Sequence, residues 1–313
     1  MGRQLRGSIM LFTTALIWGT AFVAQKSGMD SMPPVAFNGI RTVIGGIALL
    51  PVIYIMTQAA KRKGTYHEET PQEKKTLWIG GICCGLALCA AGNIQQIGMV
   101  YTTAGKTGFI TALYVILVPL IGLILRQKIR PVVWACVVAS AVGLYLLCIP
   151  ADGGFGNINK GDLIILLCSL MFAIHILTID HFSPKANGVK LSCIQFFVAG
   201  GLSCILMFVI DPMLGFSLPT WANIQGGWFE ILYAGIMSCG VAYTLQVVGQ
   251  KDVEPTLASM LLCLESVFAV IAGAILLGET MGAREIIGCV IMFAAIMVAQ
   301  LPSKDPAAEI ERK

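Results

Sequence analysis

Apolar residues along the chain come in blocks of about twenty, set apart by short charged or Pro/Gly-rich stretches. At about 1.5 Å per residue, such a block matches a hydrocarbon core roughly 30 Å thick. Strands that cross lipid alternate polar and apolar residues at period two; none of these blocks does, and backbone satisfaction in lipid then leaves helices. The pattern predicts an all-α membrane protein with ten transmembrane helices near residues 8–26, 33–56, 76–97, 105–125, 131–149, 161–180, 190–210, 228–249, 256–277 and 284–301. The opening MGRQLRG with its apolar run has the outline of a signal peptide, but the run is long, contains Trp18 and lacks a small-x-small cleavage site. It reads as a first span that is kept.

Composition agrees with the pattern. The chain is 57% hydrophobic and 12% charged, with a mean hydropathy of +0.81, against roughly a quarter charged residues in soluble domains. A soluble fold is excluded. All eleven cysteines fall within the predicted spans and none forms a CxxC pair, so they read as packing residues, with no disulfide framework or zinc site. The sequence implies no cofactor and no metal.

The placement of charge says more than the sum of +4. With the N-terminus taken as cytoplasmic, four of the 21 Lys and Arg residues (Lys26, Lys106, Lys160, Arg284) fall on the far side and Arg41 lies within a span, leaving sixteen on the cytoplasmic side. The positive-inside rule then puts both termini in the cytoplasm of a multi-pass protein of the plasma (inner) membrane. Lys61-Arg62-Lys63 reads as a solvated loop that fixes this topology, so no nucleic-acid partner is expected.

The chain also resembles itself. Residues 101–150 lie over 253–302 without a gap, matching Val115 with Val267, Val118 with Val270, Leu125 with Leu277, Val138 with Val290 and Pro150 with Pro302. Gly7 and Gly161 each open a half, and the second span of each half carries a glycine pair, Gly45-Gly46 and Gly200-Gly201. Two five-span halves, 8–150 and 161–302, joined by PADGGFGNINK at 150–160, must enter the membrane from opposite sides, because five is odd. Inverted repeats of this kind are the architecture of secondary transporters, with a binding site near the bilayer midplane.

ALIWGTAFVAQK at 15–26, PVAFNGIR at 34–41, YTTAG at 101–105 and EPTLASMLLCLESVFAVIAGAILLGE at 254–279 resemble the EamA-type repeat of the drug/metabolite transporter superfamily. The fullest signature is Pro255, Ala258, Ser259, Glu265, Val267, Phe268, Ala269, Gly273 and Leu277-Gly278-Glu279. The resemblance covers almost the whole chain, once per half. It implies a ten-helix carrier of small metabolites, often outward and often in exchange for protons or down a substrate gradient. The chain departs from the common pattern at Ser266, where many relatives have proline, and at Arg126-Gln127-Lys128, where the first half might have had Gly-Glu.

Polar residues inside the spans are the candidate chemistry. Glu265 lies roughly 14 Å into its span, where an ionised carboxylate costs about 2.5 to 3.5 kcal/mol. Its helical stripe of Ala258, Leu261 or Leu262, Ala269, Ala272 and Gly273 is mostly small and suits close helix contact, so the carboxyl faces protein or a cavity. Two readings stay open: a protonated carboxyl hydrogen-bonded to a neighbouring helix, or a proton-coupling or substrate-contacting acid. His175, also near mid-span, is either a second coupling group or an interhelical donor. Asn93 and Gln96 share one face of the third span, and Tyr243, Gln246 and Gln250 share one face of the eighth. Such stripes suit a water-filled cavity; for Gln96 and Gln250 placement near the helix ends is an equal alternative. Trp18 either walls that cavity or fills the bundle core. Arg41 is read as structural, snorkelling and paired with a neighbouring carboxylate, with binding of an anionic group as the alternative and Gln195 in about the equivalent place of the other half. Lys26 and Asp180 read as boundary residues.

The substrate-cavity candidates are thus Trp18, Asn93, Gln96, His175, Tyr243, Gln246 and Glu265, with Glu265 and His175 as coupling candidates. AGKT at 104–107 is not a phosphate loop, since Val100 stands where the first glycine is required, and HExxH and GxSxG are missing. The expectation is a non-enzymatic carrier of a small organic solute working by alternating access. Its rivals are a passive channel, which would need a continuous polar lining, and a membrane sensor or enzyme, which would need clustered catalytic groups. A homodimer stays open, because the Gly81/Gly85 GxxxG serves contacts within a bundle as readily as between subunits.

Overall fold

A computed structural model describes residues 2–102, 104–127, 129–148, 160–277, 282–299 and 301. Among them the regular structure is helical throughout. Three long helices open the chain: α1 (Arg3–Ser31), α2 (Pro34–Arg62) and α3 (Pro71–Tyr101). Then come α4 (Ala104–Ala112), α5 (Tyr114–Ile124) and α6 (Pro131–Cys148). Next are α7 (Lys160–Phe182), α8 (Gly188–Met213) and a short exposed helix, α9 (Trp221–Gly226). A run from Trp228 to Gln250 follows, made of α10 (Trp228–Leu232), a π-helical segment (Tyr233–Tyr243) and α11 (Thr244–Gln250). Finally α12 (Pro255–Leu262), α13 (Glu265–Leu277) and α14 (Ala283–Ala299) close the bundle. The expected linker at 150–160, Lys160 apart, lies outside the described residues, as do Lys128 and the Gly278-Glu279 end of the signature.

Seven stretches among the described residues are long and apolar enough to cross a membrane, and three shorter apolar helices, Pro131–Leu146, Pro255–Ala269 and Ile286–Ala299, accompany them. Their outer faces carry exposed Tyr54, Ile55, Ile124, Leu163, Ile205 and Phe208, a surface made for lipid tails. The chain is a multi-pass membrane protein.

Local chemistry explains where the helices begin. Pro34, Pro71, Pro131 and Pro255 stand at helix starts, where a missing N–H removes a donor that would have no partner anyway. Thr70 and Glu73 form a reciprocal capping box on α3, and Asn187 caps α8. The start of α2 is capped from another helix: wholly buried Asp211 of α8 accepts from the backbone N–H of Val35 (3.0 Å) and of Ala36 (2.9 Å).

Two of the expected spans are not continuous. The 105–125 span breaks at Leu113, and the 256–277 span breaks at Cys263-Leu264. At both breaks the backbone tightens to bonds three residues apart: Leu113 N–H to Ile110 O (3.2 Å), Leu264 N–H to Leu261 O (3.3 Å) and Ser266 N–H to Cys263 O (3.2 Å). Tightening keeps these groups paired inside a medium that offers no water.

Packing between the early and late helices is reciprocal. α2 lies along α8; α3 lies along α7 and α8, while the run from Tyr233 to Gln250 lies along α1 and α2. α1 meets α13, α7 meets α4 and α5, and α6 pairs with α14. Glycines set these distances. A Cβ on Gly7 would sit 2.6 Å from the Gly249 carbonyl oxygen, and one on Gly161 would sit 2.8 Å from that of Gly98, so corresponding helix pairs touch backbone to backbone. Gly81 and Gly85 face Ile194 and Val198 of α8, which commits that GxxxG to a contact within the chain.

The glycine pair of α8 offers a controlled test. A Cβ on Gly200 would lie 2.7 Å from the Val43 backbone nitrogen, whereas one on Gly201 meets nothing within 4 Å. Gly200→Ala is expected to destabilise the detergent-solubilised protein by about 1–3 kcal/mol through overpacking. Gly201→Ala should be neutral or stabilise by up to about 1 kcal/mol through helix propensity. Thermal unfolding of the two variants side by side checks the contrast.

Candidate functional site

The helix break at Cys263-Leu264 places Glu265 at the first turn of α13, deep in the bundle and only 3% exposed. Its Oε1 accepts a hydrogen bond from the Tyr114 hydroxyl at 3.0 Å. Tyr114 is likewise the first residue after a break, at the start of α5. The two interrupted helices thus meet through side chains carried at their interruptions. A discontinuous helix near mid-membrane is where transporters commonly build their sites.

Around this pair is a small cavity. α1 contributes Trp18, Phe22 and Gln25; α2 contributes Arg41; α3 and α4 contribute Gln95 and Thr111. Phe172 of α7 and Ser238 and Tyr243 of the π segment complete the lining with Glu265 and Tyr114. Its free volume is about 20 Å³, room for a water or so, so this conformation is closed around the site. Solute binding requires the walls to separate.

Several walls are fixed by hydrogen bonds that cross between early and late helices. The π segment, one residue wider per turn than an α-helix, is a common device at functional sites. Trp18 Nε1 donates to the Ser238 carbonyl at 3.4 Å, and Thr14 Oγ1 donates to that of Ala242 at 2.9 Å. The Trp18 and Tyr243 rings lie 4.5 Å apart, tilted. On the opposite wall Gln95 Nε2 donates to Thr111 Oγ1 at 3.1 Å.

Of the residues singled out by sequence, Trp18, Tyr243 and Glu265 line this cavity. His175 is behind it, its ring 6.0 Å from that of Tyr243 and its Nε2 3.2 Å from Gln195 Oε1. Its Nδ1 is buried without a hydrogen-bond partner among the described residues. Asn93 lies outside the lining, in a network between α2, α3 and α8: it accepts from Asn38 Nδ2 (2.9 Å) and donates to Ser203 Oγ (2.8 Å). Gln96 and Gln250 are both buried and both reach a main-chain carbonyl of an earlier helix, Gln25 O of α1 at 3.5 Å and Ile176 O of α7 at 3.1 Å respectively. Gln246 is buried and outside the lining, its Oε1 unpaired among the described residues.

Arg41 departs from its sequence reading. It neither snorkels nor meets a carboxylate: it is 3% exposed, lines the cavity, and gives two N–H groups to Asn38 Oδ1, from Nε at 3.2 Å and from a terminal nitrogen at 2.9 Å. The reason is Asn38, held one turn away on α2 by Asn93, which anchors the guanidinium inward. Gln25, Gln95, Thr111 and Tyr114 were also not singled out by sequence. One signal was present for Tyr114, since the overlay of 101–150 on 253–302 sets Leu113 opposite Glu265. Gln95 carried none, because one residue of rotation separates it from Gln96 on the helix.

Comparison with known proteins follows from this geometry. The model of the EamA-like transporter family matches residues 5–149 and again residues 159–300. An uncharacterized transporter of Archaeoglobus fulgidus is 28% identical over 302 residues, covering 96% of this chain and 87% of that protein. The uncharacterized inner membrane transporter YedA of Escherichia coli K12 is 24% identical over 295 residues, covering 92% and 89%. A solved crystal structure superposes with a TM-score of 0.72 at 18% identity, covering 94% of this chain and 96% of that one, a likeness of fold.

Tyr114→Phe deletes the one hydroxyl that donates to Glu265 and leaves ring volume unchanged. It is expected to cost about 1–3 kcal/mol, the range for stranding a buried acceptor. Tyr54→Phe, on the exposed face of α2, should cost nothing measurable. Thermal unfolding in one detergent distinguishes them.

Proposed function

The chain belongs to the EamA-like transporter family, and on that footing we propose that it is a secondary carrier that moves a small organic solute across the plasma membrane by alternating access. The observation that carries this reading is the closed cavity, in which Trp18 and Tyr114 from the earlier helices meet Tyr243 and Glu265 from the later ones. A solute held there touches both groups of helices, so a rocking of one group against the other would expose it to each side in turn. Reciprocal packing of the helix pairs and the double family match support two inverted halves of five spans each, 8–150 and 161–302. A free volume of about 20 Å³ speaks against a continuously open channel.

Transport runs outward in this reading, and Glu265 couples it to protons. A carboxyl that alternates between a closed, dry cavity and an aqueous face can load a proton on one side and release it on the other. His175, one ring away behind Tyr243, is the second candidate for this task. The partners are the solute and the bilayer, with no nucleic acid and no cofactor; a homodimer would have to use a surface other than Gly81 and Gly85.

Two experiments test the reading. Purified protein in liposomes should show saturable counterflow of a preloaded metabolite mixture, and Glu265→Gln should keep counterflow while losing any acceleration by an imposed pH gradient; gradient-driven flux unchanged in that variant would remove Glu265 from coupling. Reporter fusions at either end should both read cytoplasmic. Ends on opposite faces would make the number of spans odd and remove the inverted halves.

A further inference from the structure

Arg41 is a permanent cation in a place where a lone charge is expensive. A guanidinium does not deprotonate in proteins, and a buried charge needs a partner or a counter-charge. Among the described residues its partners are neutral: Asn38 Oδ1, which takes two of its five N–H donors, and the ring of Phe37, 5.9 Å from the guanidinium carbon. Asn38 is itself held by Asn93 and Ser203, so the guanidinium is fixed by side chains of α2, α3 and α8. Such a scaffold orients a fork for an oxyanion.

The cavity that Arg41 lines has a single carboxyl in its lining, that of Glu265, and the two groups do not form an ion pair. The other titratable groups facing Glu265 are Tyr114 of α5, Tyr243 of the π segment, Cys168 of α7 and Cys263 of the helix break, with His175 behind Tyr243. None of these supplies a fixed negative charge. The remaining lining mixes the apolar rings of Trp18, Phe22 and Phe172 with the neutral polar side chains of Gln25, Gln95, Thr111 and Ser238.

We propose that Arg41 is the seat for the anionic group of the solute, a carboxylate or similar singly charged oxyanion on a small organic body. The inference rests on the carrier reading and adds the solute's class. The solute anion supplies the counter-charge that the guanidinium lacks among the described residues.

The test uses matched probes on the full-length protein in nanodiscs: hexanoate, hexanol and hexylamine, and phenylpropionate, phenylpropanol and phenylpropylamine. The carboxylate of each set is expected to bind at least tenfold more tightly than its alcohol and its amine, read by thermal shift and by quenching of tryptophan fluorescence. Arg41→Gln should remove the tenfold preference, and Glu265→Gln should keep it. Unfolding temperature measured without probe separates loss of preference from loss of fold, and Arg41→Lys, which keeps the charge, should retain part of the preference. Equal affinity within each set, binding by none of the six, or a preference that survives Arg41→Gln overturns the proposal. Counterflow of the metabolite mixture is scored independently, so the carrier reading stands or falls apart from the anion.

Discussion

Backbone contact at glycine is the constraint on which the rest of the bundle depends. In lipid the apolar faces of helices gain little by leaving their surroundings, so association relies on close approach and on interhelical hydrogen bonds. Gly7 against Gly249 and Gly161 against Gly98 bring carbonyl oxygens to within 3 Å of where a methyl group would be. That proximity draws α1 onto α11 and α7 onto α3, in a bundle whose cavity has a free volume of only about 20 Å³.

Within that tight bundle the polar side chains divide into two kinds. Asn93, Asn38, Ser203, Gln96 and Gln250 join helix to helix. Glu265, Tyr114, Gln95, Thr111 and Arg41 border the cavity. The two kinds are linked: the Asn93–Asn38 network that ties α2 to α3 is also what holds Arg41. A residue in the first group can therefore alter solute handling without touching solute.

Much of the fold was legible because lipid writes a simple code. Segment length and lack of period-two alternation give helices, and the order of glycines gives the likeness between early and late parts. Glu265 stood out for the same reason, since a carboxyl among leucines demands a cause. What the sequence did not display was rotation and interruption. Whether Gln95 or Gln96 faces the centre turns on about 100° of helix, and nothing in residues 105–125 or 256–277 marks a break at Leu113 or Cys263 with a glycine or a proline there. For Arg41 the expected partner was a carboxylate and the one found is Asn38, whose own direction depends on Asn93 across the helix interface. Asp211 was missed likewise, being a cap for a helix start far away in the chain.

That last carboxylate has a mechanical consequence. By gripping the main chain at Val35 and Ala36 from the far end of α8, Asp211 ties the head of one long helix to the tail of another. Any rocking of the early helices against the late ones must either pivot about this tie or break its two hydrogen bonds.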